Sequence, residues 1–393
     1  MKKILINCYE YPPEVHGGVG SFSRDLAEGL VSIGWQVYVV GIYYENNSPD
    51  LISRKEEIIN GVNIIRLPQS NVNNVRLRII FDRINLYKEI VKLHKKVKFD
   101  LLESPESTGW FPLGSPVRPF VVRMHGSQIY FDTLLERPPS RLWHWLEKRT
   151  IKKADALVAV SNYCGEKTLE FCGFRKDFVT IYNGIDIEKI LKVKNEISSI
   201  NYNDTYGRYI VFANSVIKKK GVEELISAFN IIGFEYPDLN LVIIGKSLGK
   251  VNNKPYTEYL YTLLDIDLHH KMFFTGWLNH HSDVFKILDK CGIAVYPSHM
   301  EGQGIAPTEA MILGKPVIFM NNGPGPEVID HLKSGYLVNT KYPEAIAEAI
   351  RTLLDDKVLA EDIGEEAILK VYKDFDKSKW LQNNLEFYNK LFN

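Results

Sequence analysis

Two carboxylates, Glu301 and Glu309, flank a glycine-rich segment that follows a candidate strand, Ile293–Tyr296. The pattern predicts a helix starting near Ile305, so that the backbone N–H groups of Gly304–Ala306 have no partner within the helix. Such a helix end attracts anions, and a carboxylate can accept hydrogen bonds from two vicinal hydroxyls. The segment therefore suits a phosphorylated polyhydroxyl ligand, although Glu309 could simply be an acidic residue in a first helical turn. The full segment reads Glu301-Gly302-Gln303-Gly304-Ile305-Ala306-Pro307-Thr308-Glu309.

A second motif places three consecutive lysines, Lys218, Lys219 and Lys220, between a candidate strand and a helical pattern. The strand is Tyr209–Ala213, and Gly221 follows the lysines. Positive charge beside a helix N-terminus suits a diphosphate. The alternative is an ordinary run of solvated charges.

In the first half of the chain, Gly17 and Gly18 lie in the segment Glu10–Ser21, before a helix that Ser21 can cap. Glycines at this position allow backbone N–H groups to approach an anion. The spacing is not that of the dinucleotide-binding fingerprint, and no acidic residue closes the second strand. This argues against a nicotinamide-dependent oxidoreductase, and a plain glycine turn stays open as the alternative.

A histidine, His125, ends the candidate strand Phe120–Met124 and precedes Gly126. An isolated histidine in a core is more often a packing residue. Its position at the end of a strand favours a side chain that faces a ligand instead, because ligands of open α/β sheets bind there.

These motifs stand at the ends of short apolar strands that alternate with amphipathic helices. The alternation predicts an α/β protein with parallel sheets that are covered by helices on both faces. A polar stretch at 187–208 interrupts it and is predicted to be a linker between two Rossmann-like, doubly wound domains, with ligands bound in a cleft between them. The aromatic stretch Lys377–Phe392 predicts a final helix that must dock. The candidate strands are Ile4–Tyr9, Gln36–Tyr43, Val62–Leu67, Leu101–Glu103, Phe120–Met124, Ala156–Ser161, Phe178–Tyr182, Tyr209–Ala213, Leu239–Ile244, Met272–Thr275, Ile293–Tyr296 and Pro316–Met320.

Charge limits the possible partners. The 393 residues contain 48 basic and 48 acidic side chains, which argues against a general nucleic-acid binder. Residues 1–195 carry 28 basic and 22 acidic side chains, so this half either lies near phosphates or an anionic surface or shows a modest fluctuation. Basic residues that could rest on anionic lipid are Arg76, Arg78, Arg83, Lys92, Lys95, Lys96 and Lys98.

Cysteine spacing and hydropathy bear on the compartment. The four cysteines are scattered without a CxxC pair, which predicts buried thiols in a reducing compartment. The apolar run at the N-terminus stops at Cys8, too early for a signal peptide, and no run reaches about 18 apolar residues. We expect a cytoplasmic protein, with peripheral attachment to the inner face of the membrane left open.

The motifs together resemble the retaining glycosyltransferases of family 4, which have the GT-B fold. The spacing Glu301-x7-Glu309 within EGQGIAPTEAMILGKPV is similar to their signature. The segments YPPEVHGGVGSFSRDLAEGL, VVRMHG, VSNYC, NGID, KKKGVEELISAF and GPGPEVI resemble further family motifs, so that the resemblance covers nearly the whole chain.

The resemblance implies a role for each motif. Glu309 would bind the ribose hydroxyls of a nucleotide, and Glu301 the hydroxyls of the donor sugar. Lys220 would neutralise the leaving diphosphate, and His125 would contact the donor sugar near the reacting carbon. The other residues that the resemblance assigns are Gly302, Gln303, Gly304, Ile305, Ala306, Ser215, Lys219, Trp277 and Leu278 on the donor side, with Trp277 and Leu278 near the base, and Gly17 and Gly18 on the acceptor side.

The sequence departs from the family at one point. Asn214 and Ser215 stand where the family usually has a Gly-Arg pair, so the usual arginine that clamps the diphosphate is missing. Lys218 or Lys219 could supply the second positive charge.

The predicted domains are an acceptor-binding domain at 1–195, with 377–393 docking back onto it, and a donor-binding domain at 196–376. The predicted activity is transfer of a hexose, with glucose as the first choice, from a UDP-sugar to a hydroxyl of a saccharide or lipid-linked saccharide, with retention and without a metal or other cofactor. A sugar-nucleotide 2-epimerase on the same fold and a non-catalytic nucleotide-sugar binding protein are the alternatives.

Overall fold

The computed structural model describes residues 1–13, 17–44, 51, 53–196, 202–278 and 283–392. The chain divides into two compact units, the first comprising Met1–Ile181 with Leu381–Asn393 and the second Tyr182–Trp380. Sequence analysis had placed the boundaries at residues 195 and 377. The C-terminal segment groups with the first unit, in agreement with the prediction that the last helix docks there.

The first unit is built on an eight-stranded sheet in the order β3-β4-β2-β1-β5-β6-β7-β8. All neighbouring strands are parallel except β3, which runs antiparallel to β4 at the edge. The strands are β1 (Lys3–Asn7), β2 (Gln36–Tyr43), β3 (Lys55–Ile59), β4 (Val62–Pro68), β5 (Leu101–Pro105), β6 (Phe120–Met124), β7 (Ala156–Ala159) and β8 (Val179–Thr180). Its helices are α1 (Gly18–Ser32), α2 (Val75–Val97), α3 (Gln128–Leu134), α4 (Arg141–Lys153) and α5 (Asn162–Cys172). Sequence analysis missed β3 because most of its residues are exposed and its apolar alternation is weak.

The second unit contains a six-stranded parallel sheet in the order β13-β10-β9-β14-β15-β16 and a small hairpin of β11 and β12. The strands are β9 (Arg208–Ala213), β10 (Leu239–Ile244), β11 (Lys250–Val251), β12 (Lys254–Pro255), β13 (Met272–Gly276), β14 (Ile293–Tyr296), β15 (Val317–Met320) and β16 (Tyr336–Val338). The helices are α6 (Ile187–Asn195), α7 (Tyr202–Tyr206), α8 (Val222–Glu235), α9 (Tyr256–Tyr261), α10 (Phe285–Lys290), α11 (Ile305–Ile312), α12 (Gly325–Val328), α13 (Pro343–Asp355) and α14 (Lys357–Asp374), and α15 (Lys377–Leu391) ends the chain.

Both sheets carry apolar side chains on their two faces, which explains the nearly continuous apolar strands. In the second unit, one core cluster includes Val211 and Ala294 on one face of the sheet, and another includes Ile210 and Ile293 on the opposite face. Successive residues of a strand point to opposite faces, so each strand must be apolar throughout. The predicted pair of parallel α/β sheets is confirmed.

The predicted linker at 187–208 is wrong for most of its described residues. Helix α7 covers Tyr202–Tyr206 and β9 begins at Arg208, whereas residues 197–201 lie outside the described residues. Residues 187–195 form helix α6, which begins after Asp186, whose carboxylate accepts a hydrogen bond from the Lys189 backbone N–H at 3.1 Å. Ile187, Ile190 and Val193 recur at helical spacing and join the core of the second unit. The polar residues between them occupy the outer face, and their abundance hid the period.

Candidate active site

The lysine motif of the second unit is brought close to the segment after β14 by a glycine. Lys218–Lys220 form one turn of 3-10 helix, and Gly221 follows with a φ of 72°. A Cβ atom at Gly221 would lie 1.8 Å from the carbonyl oxygen of Pro297. The absence of a side chain allows this approach, and the His299 backbone N–H donates to the Lys219 carbonyl at 3.0 Å.

This approach joins two predicted site residues. Lys220 Nζ lies 2.6 Å from Glu301 Oε1, and the hydroxyl of Ser298 donates to the same oxygen at 2.8 Å. Both charged side chains are mostly buried, with 14% and 12% of their surface exposed. The ammonium and the carboxylate are thus held in one place at the carboxyl ends of β9 and β14.

Helix α11 begins four residues after Glu301, and its N-cap residue is a glycine, which has no side chain to cap the helix. Its N-cap residue, Gly304, has a φ of 103°, and a Cβ atom there would lie 2.8 Å from Cζ of Phe319. Pro307 has no N–H, so the backbone donors of the first turn come from Ile305 and Ala306. This arrangement provides directed N–H groups and a positive helix end for an anion.

Gln303, one of the residues that the resemblance places on the donor side, uses its side chain to bind the backbone of Asn183. Its amide oxygen accepts from the Asn183 backbone N–H at 2.6 Å, and its amide nitrogen donates to the Asn183 carbonyl at 3.1 Å. The side chain is buried, and its hydrogen bonds join residues that are 120 positions apart in the sequence, which fixes the glycine-rich loop. A direct contact to a donor would have to use the backbone of Gln303, as it would for Gly302.

Glu309 lies in the second turn of α11 and is half-buried. Burial and the negative charge of Glu309 raise the pKa of Tyr296, at the end of β14, well above its ordinary value. The Tyr296 hydroxyl is buried and makes no hydrogen bond within the described part of the chain. Glu309 is therefore positioned near the end of β14, as Glu301 is.

Residues predicted to lie near the base and diphosphate follow β9 and β13, the two strands on either side of β10. Ser215, after β9, is exposed, and its backbone N–H donates to Asn214 Oδ1 at 2.8 Å. Trp277 and Leu278 follow β13; the Trp277 side chain is 72% exposed, whereas Leu278 packs partly against the core. Gly245 connects these segments, because its N–H donates to the Gly276 carbonyl at 2.9 Å and its Cα approaches the Asn214 carbonyl.

Sequence reasoning missed a contact between a histidine and a glutamate next to the lysine motif. His299 Nε2 lies 3.1 Å from Glu224 Oε2, in the first turn of α8. Burial alone would raise the pKa of Glu224, but the hydrogen bond and charge of His299 lower it. Two features of the sequence could have indicated this contact: the pair Glu223-Glu224 after the lysines, and His299 close to Glu301.

In the first unit, His125 follows β6 as predicted, and its ring lies edge-on to Phe22 with 4.7 Å between ring centroids. Burial and the neighbouring positive charge of Arg123 lower the pKa of His125 to about 3. The imidazole is therefore neutral near pH 7, and it can donate or accept a hydrogen bond without carrying charge.

Two buried carboxyl groups near the backbone of the histidine motif, those of Glu106 and Glu147, were not predicted from the sequence. Glu106 Oε1 accepts from the backbone N–H groups of His125 and Gly126 at 2.8 and 2.7 Å. Burial, aided by the negative charge of Glu147, raises the pKa of Glu106 to about 8. The carboxyl group thus fixes the backbone of the histidine motif. The polar residues in the otherwise apolar strand segment LLESPES were the only sequence signal.

Arg123 forms a second buried cluster that includes the final helix. Its Nε donates to Glu103 Oε1 at 2.6 Å, and one terminal nitrogen donates to Asn384 Oδ1 at 2.6 Å. The Tyr388 hydroxyl donates to Glu103 Oε2 at 2.6 Å, and Phe22 lies under the guanidinium at 4.8 Å. These contacts explain how residues 381–393 dock on the first unit.

The predicted anion site at Gly17 and Gly18 already contains a carboxylate of the protein. Glu10 Oε1 accepts from the Gly20 backbone N–H at 2.8 Å, in the first turn of α1. The preceding segment is fixed by the buried guanidinium of Arg66, which donates to the carbonyls of Tyr11 and Pro12 at 2.7 and 2.9 Å. Residues 14–16 of the motif lie outside the described residues.

Comparison with known proteins gives two family matches that together span most of the chain. Residues 16–189 match the model described as Glycosyltransferase Family 4, and residues 193–370 match Glycosyl transferases group 1. The chain belongs to the family 4 glycosyltransferases. The enzyme transfers a sugar from a nucleotide sugar, and the two α/β units are those of the GT-B fold.

Individual relatives are distant but cover the full chain. An uncharacterized glycosyltransferase of Methanocaldococcus jannaschii is 28% identical over 95% of this chain and 94% of its own. Sucrose-phosphate synthase of Thermosynechococcus elongatus superposes with a TM-score of 0.81 at 18% identity, covering 100% and 99% of the two chains. HepE of Anabaena, solved with UDP and glucose, has a TM-score of 0.77 at 17% identity and full coverage of both chains. At these identities the solved structures show the fold alone.

Proposed function

We propose that this glycosyltransferase moves glucose from UDP-glucose to a hydroxyl of a growing polysaccharide or glycolipid, with retention at the anomeric carbon. The observation that carries the proposal is the Lys220–Glu301 pair beside the uncapped N-terminus of α11. The ammonium of Lys220, the carboxylate of Glu301 and the backbone N–H groups of α11 support it, because these groups suit a phosphate and sugar hydroxyls. The bound UDP and glucose of HepE support the choice of donor.

Each proposed donor contact follows from the chemistry of the side chain. The N–H groups of Ile305 and Ala306 bind the diphosphate, and Lys220 neutralises it as charge develops. Glu301 accepts hydrogen bonds from sugar hydroxyls in place of part of its present contact with Lys220. Glu309 accepts from the ribose hydroxyls. The exposed indole of Trp277 and the side chain of Leu278 are available to the base.

The transfer step breaks the bond between the anomeric carbon and the diphosphate oxygen, and the electron pair goes to that oxygen. The acceptor oxygen forms the new bond from the same face, and its proton passes to the departing diphosphate. The main requirement is stabilisation of negative charge on the leaving group, which Lys220 and the helix N-terminus supply. His125, which is neutral, is proposed to hold a donor-sugar hydroxyl near the reacting carbon.

We propose that no divalent metal is needed and that lysines replace the family's clamping arginine. Ser215 is exposed and uncharged, so the second positive charge has to come from Lys219 or Lys218. Lys219 is half-buried, whereas the Lys218 side chain is 75% exposed and lies 3.4 Å from Glu223. Lys219 is therefore the better placed of the two.

Cytoplasmic location is part of the proposal. Cys8, Cys164, Cys172 and Cys291 are all buried as free thiols, which is typical of a reducing compartment. No helix in the described ranges is long and apolar enough to cross a bilayer.

A thermal-shift screen against UDP, UDP-glucose, UDP-N-acetylglucosamine, ADP-glucose and GDP-mannose tests the donor, because a ligand that binds only the folded state raises the melting temperature. We expect the largest shift with UDP-glucose. A larger shift with an ADP- or GDP-sugar would contradict the uridine assignment.

Product formation from the donor chosen by the screen then tests the activity. Transfer must depend on an added saccharide or glycolipid acceptor and give an α-linked product from an α-linked donor. Release of a changed nucleotide sugar without acceptor would identify an epimerase. Donor binding without turnover across an acceptor panel would favour a non-catalytic binding protein. The replacement of the usual arginine by Ser215 would then be consistent with a loss of activity.

A further inference from the structure

Helix α2 has two apolar faces, and only one of them is buried. Leu86, Ile90 and Leu93 pack in the core of the first unit. On another side of the helix, five large apolar side chains are 39–50% exposed. These residues, which we call the outer face of α2, are Leu77, Ile80, Phe81, Ile84 and Tyr87.

The spacing of the outer face is helical, since positions 77, 80, 81, 84 and 87 follow the i, i+3, i+4, i+7 pattern of one amphipathic stripe. A surface helix of a soluble protein normally has charged or polar residues there. An exposed apolar stripe of this length indicates a contact with another apolar phase or protein.

The charges around the stripe select the partner. Exposed basic residues precede and follow it in α2, whereas neither acidic residue of the helix is free. Asp82 is buried, and Glu89 accepts from Arg54 Nε at 2.8 Å. The exposed basic residues of α2 are Arg76, Lys88, Lys92, Lys95 and Lys96.

The neighbouring helix α4 also combines an exposed apolar side chain with exposed basic side chains. Arg83 of α2 lies under the ring of Trp143 in α4, with 5.3 Å between guanidinium carbon and ring centroid, and also packs on Trp110. Trp145 of α4 is 51% exposed, and the one acidic residue of this helix, Glu147, is buried and bound to three backbone N–H groups. The exposed basic residues of α4 are Arg141, Lys152 and Lys153.

We propose that the outer face of α2, with α4 beside it, docks on an anionic lipid bilayer. A helix with an apolar stripe and a basic border lies in the interface with its apolar side chains about 5–10 Å deep, while Lys and Arg contact anionic headgroups. An exposed tryptophan fits the headgroup level. Pairing with a second copy would bring the same basic helices together, so like charges disfavour it.

The test is co-sedimentation of the full chain with vesicles of phosphatidylcholine, with and without phosphatidylglycerol. We expect binding only to the anionic vesicles, and weaker binding at high salt because screening weakens the charge contacts. The double substitution Phe81→Ser, Ile84→Ser should lower the partition coefficient about tenfold or more. Lys92→Ala and Lys95→Ala should each lower it about fivefold.

Matched controls lie on an exposed helix of the second unit. Leu369→Ser and Lys373→Ala in α14 remove one exposed apolar and one exposed basic side chain and should leave vesicle binding unchanged. Thermal melting of each variant checks folding, and UDP binding without vesicles should match wild type, which separates this proposal from the donor site. In wild type, anionic vesicles should slow amide hydrogen exchange within α2.

Three results would overturn the proposal. One is equal binding to neutral and anionic vesicles, and another is no effect of the α2 variants on binding. The third is a concentration-dependent dimer in sedimentation velocity that the Phe81→Ser, Ile84→Ser variant dissociates while wild type ignores vesicles. That result would identify the outer face as a contact between copies of the chain.

Discussion

Helices α1 and α11 both begin after glycine-rich segments at the carboxyl ends of parallel strands, but their N-termini are satisfied differently. In the first unit, the carboxylate of Glu10 accepts from the Gly20 N–H and thus supplies an anion from the protein itself. In the second unit, the N-cap residue of α11 is Gly304, which makes no side-chain cap, and the carboxylate of Glu301 contacts Lys220. A glycine before a helix therefore does not by itself indicate a ligand site.

The same contrast separates the two groups of charged residues. In the first unit, the carboxyl groups of Glu106 and Glu103 are buried. Glu106 accepts from the backbone N–H groups of His125 and Gly126, and Glu103 accepts from Arg123, so both fix the local geometry. Lys220 and Glu301 are 14% and 12% exposed and contact each other, an arrangement that a ligand with phosphate and hydroxyl groups can replace. The first unit therefore holds His125 in a fixed position, whereas the contact between Lys220 and Glu301 in the second unit can be exchanged for contacts with a ligand.

The largest expected effect is on Lys220, because it belongs to the exchangeable pair. Lys220→Ala should lower the transfer rate about 10²–10³-fold, as for other preorganised groups that stabilise a developing oxyanion. Steady-state kinetics with and without EDTA measure it. EDTA should leave wild-type transfer intact.

Lys218→Ala is the matched control within the same lysine run and should cost much less, since its side chain is mostly exposed. An equal loss for both lysines, or activity that vanishes with EDTA and returns with Mg²⁺, would show that the diphosphate is held in another way.

The next effect is expected at Glu309. Glu309→Ala should weaken UDP binding by about 1.5–3 kcal/mol for each charged hydrogen bond to ribose that is lost. Calorimetry with UDP and with its 2′,3′-dideoxy analogue, which lacks both hydroxyls, measures it, and the analogue should bind wild type and variant alike. Unchanged UDP affinity in a folded variant would exclude the ribose role.

For His125 we expect a loss of turnover rather than of nucleotide affinity, because UDP lacks the sugar that this residue contacts. His125→Ala should lower kcat about tenfold, the scale of one neutral hydrogen bond, while UDP binds normally. His125→Asn should recover part of the rate. Loss of UDP binding or of folding would instead show that His125 is a packing residue.

A smaller effect is expected at Glu10, where the contrast between the helix N-termini can be tested directly. Glu10→Ala should lower the free energy of unfolding by about 0.5–2 kcal/mol through loss of the cap on α1, and leave UDP affinity unchanged. Urea unfolding and calorimetry measure the two. Glu28→Ala, in the same helix but beyond its first turns, is the control and should cost less. A large loss of donor affinity in Glu10→Ala would place this helix end in the donor site.

The last prediction concerns the pH dependence of wild-type stability, in which two buried groups oppose each other where their titration windows overlap. The pKa of Glu106 is raised from 4.5 to about 8, so its contribution to stability is lost as pH rises through that window. The pKa of His125 is lowered from 6.5 to about 3, so stability falls as pH drops through that window. Glu106→Gln, which keeps an acceptor for the two N–H groups, should make stability rise more steeply, or fall less, between pH 4.5 and 8. An unchanged profile would contradict the raised pKa.

Local sequence patterns determined much of this protein. Apolar β-branched runs predicted the parallel strands, since a strand buried on both faces must be apolar throughout. The spacing of Glu301 and Glu309 around glycines predicted the start of α11 and its place after β14, because glycine at the N-cap position and a following apolar helix are local features. The family resemblance rested on these same local motifs.

Contacts between distant residues were decided only by the tertiary structure. The Gln303 amide is taken up by the backbone of Asn183, Lys220 pairs with Glu301, and Glu106 holds the backbone of His125. Nothing in the residue types alone distinguishes a glutamine that binds a ligand from one that binds a loop. A ligand and a loop can satisfy the same amide groups of a glutamine. Which of them the side chain binds depends on which strands become neighbours when the sheet forms.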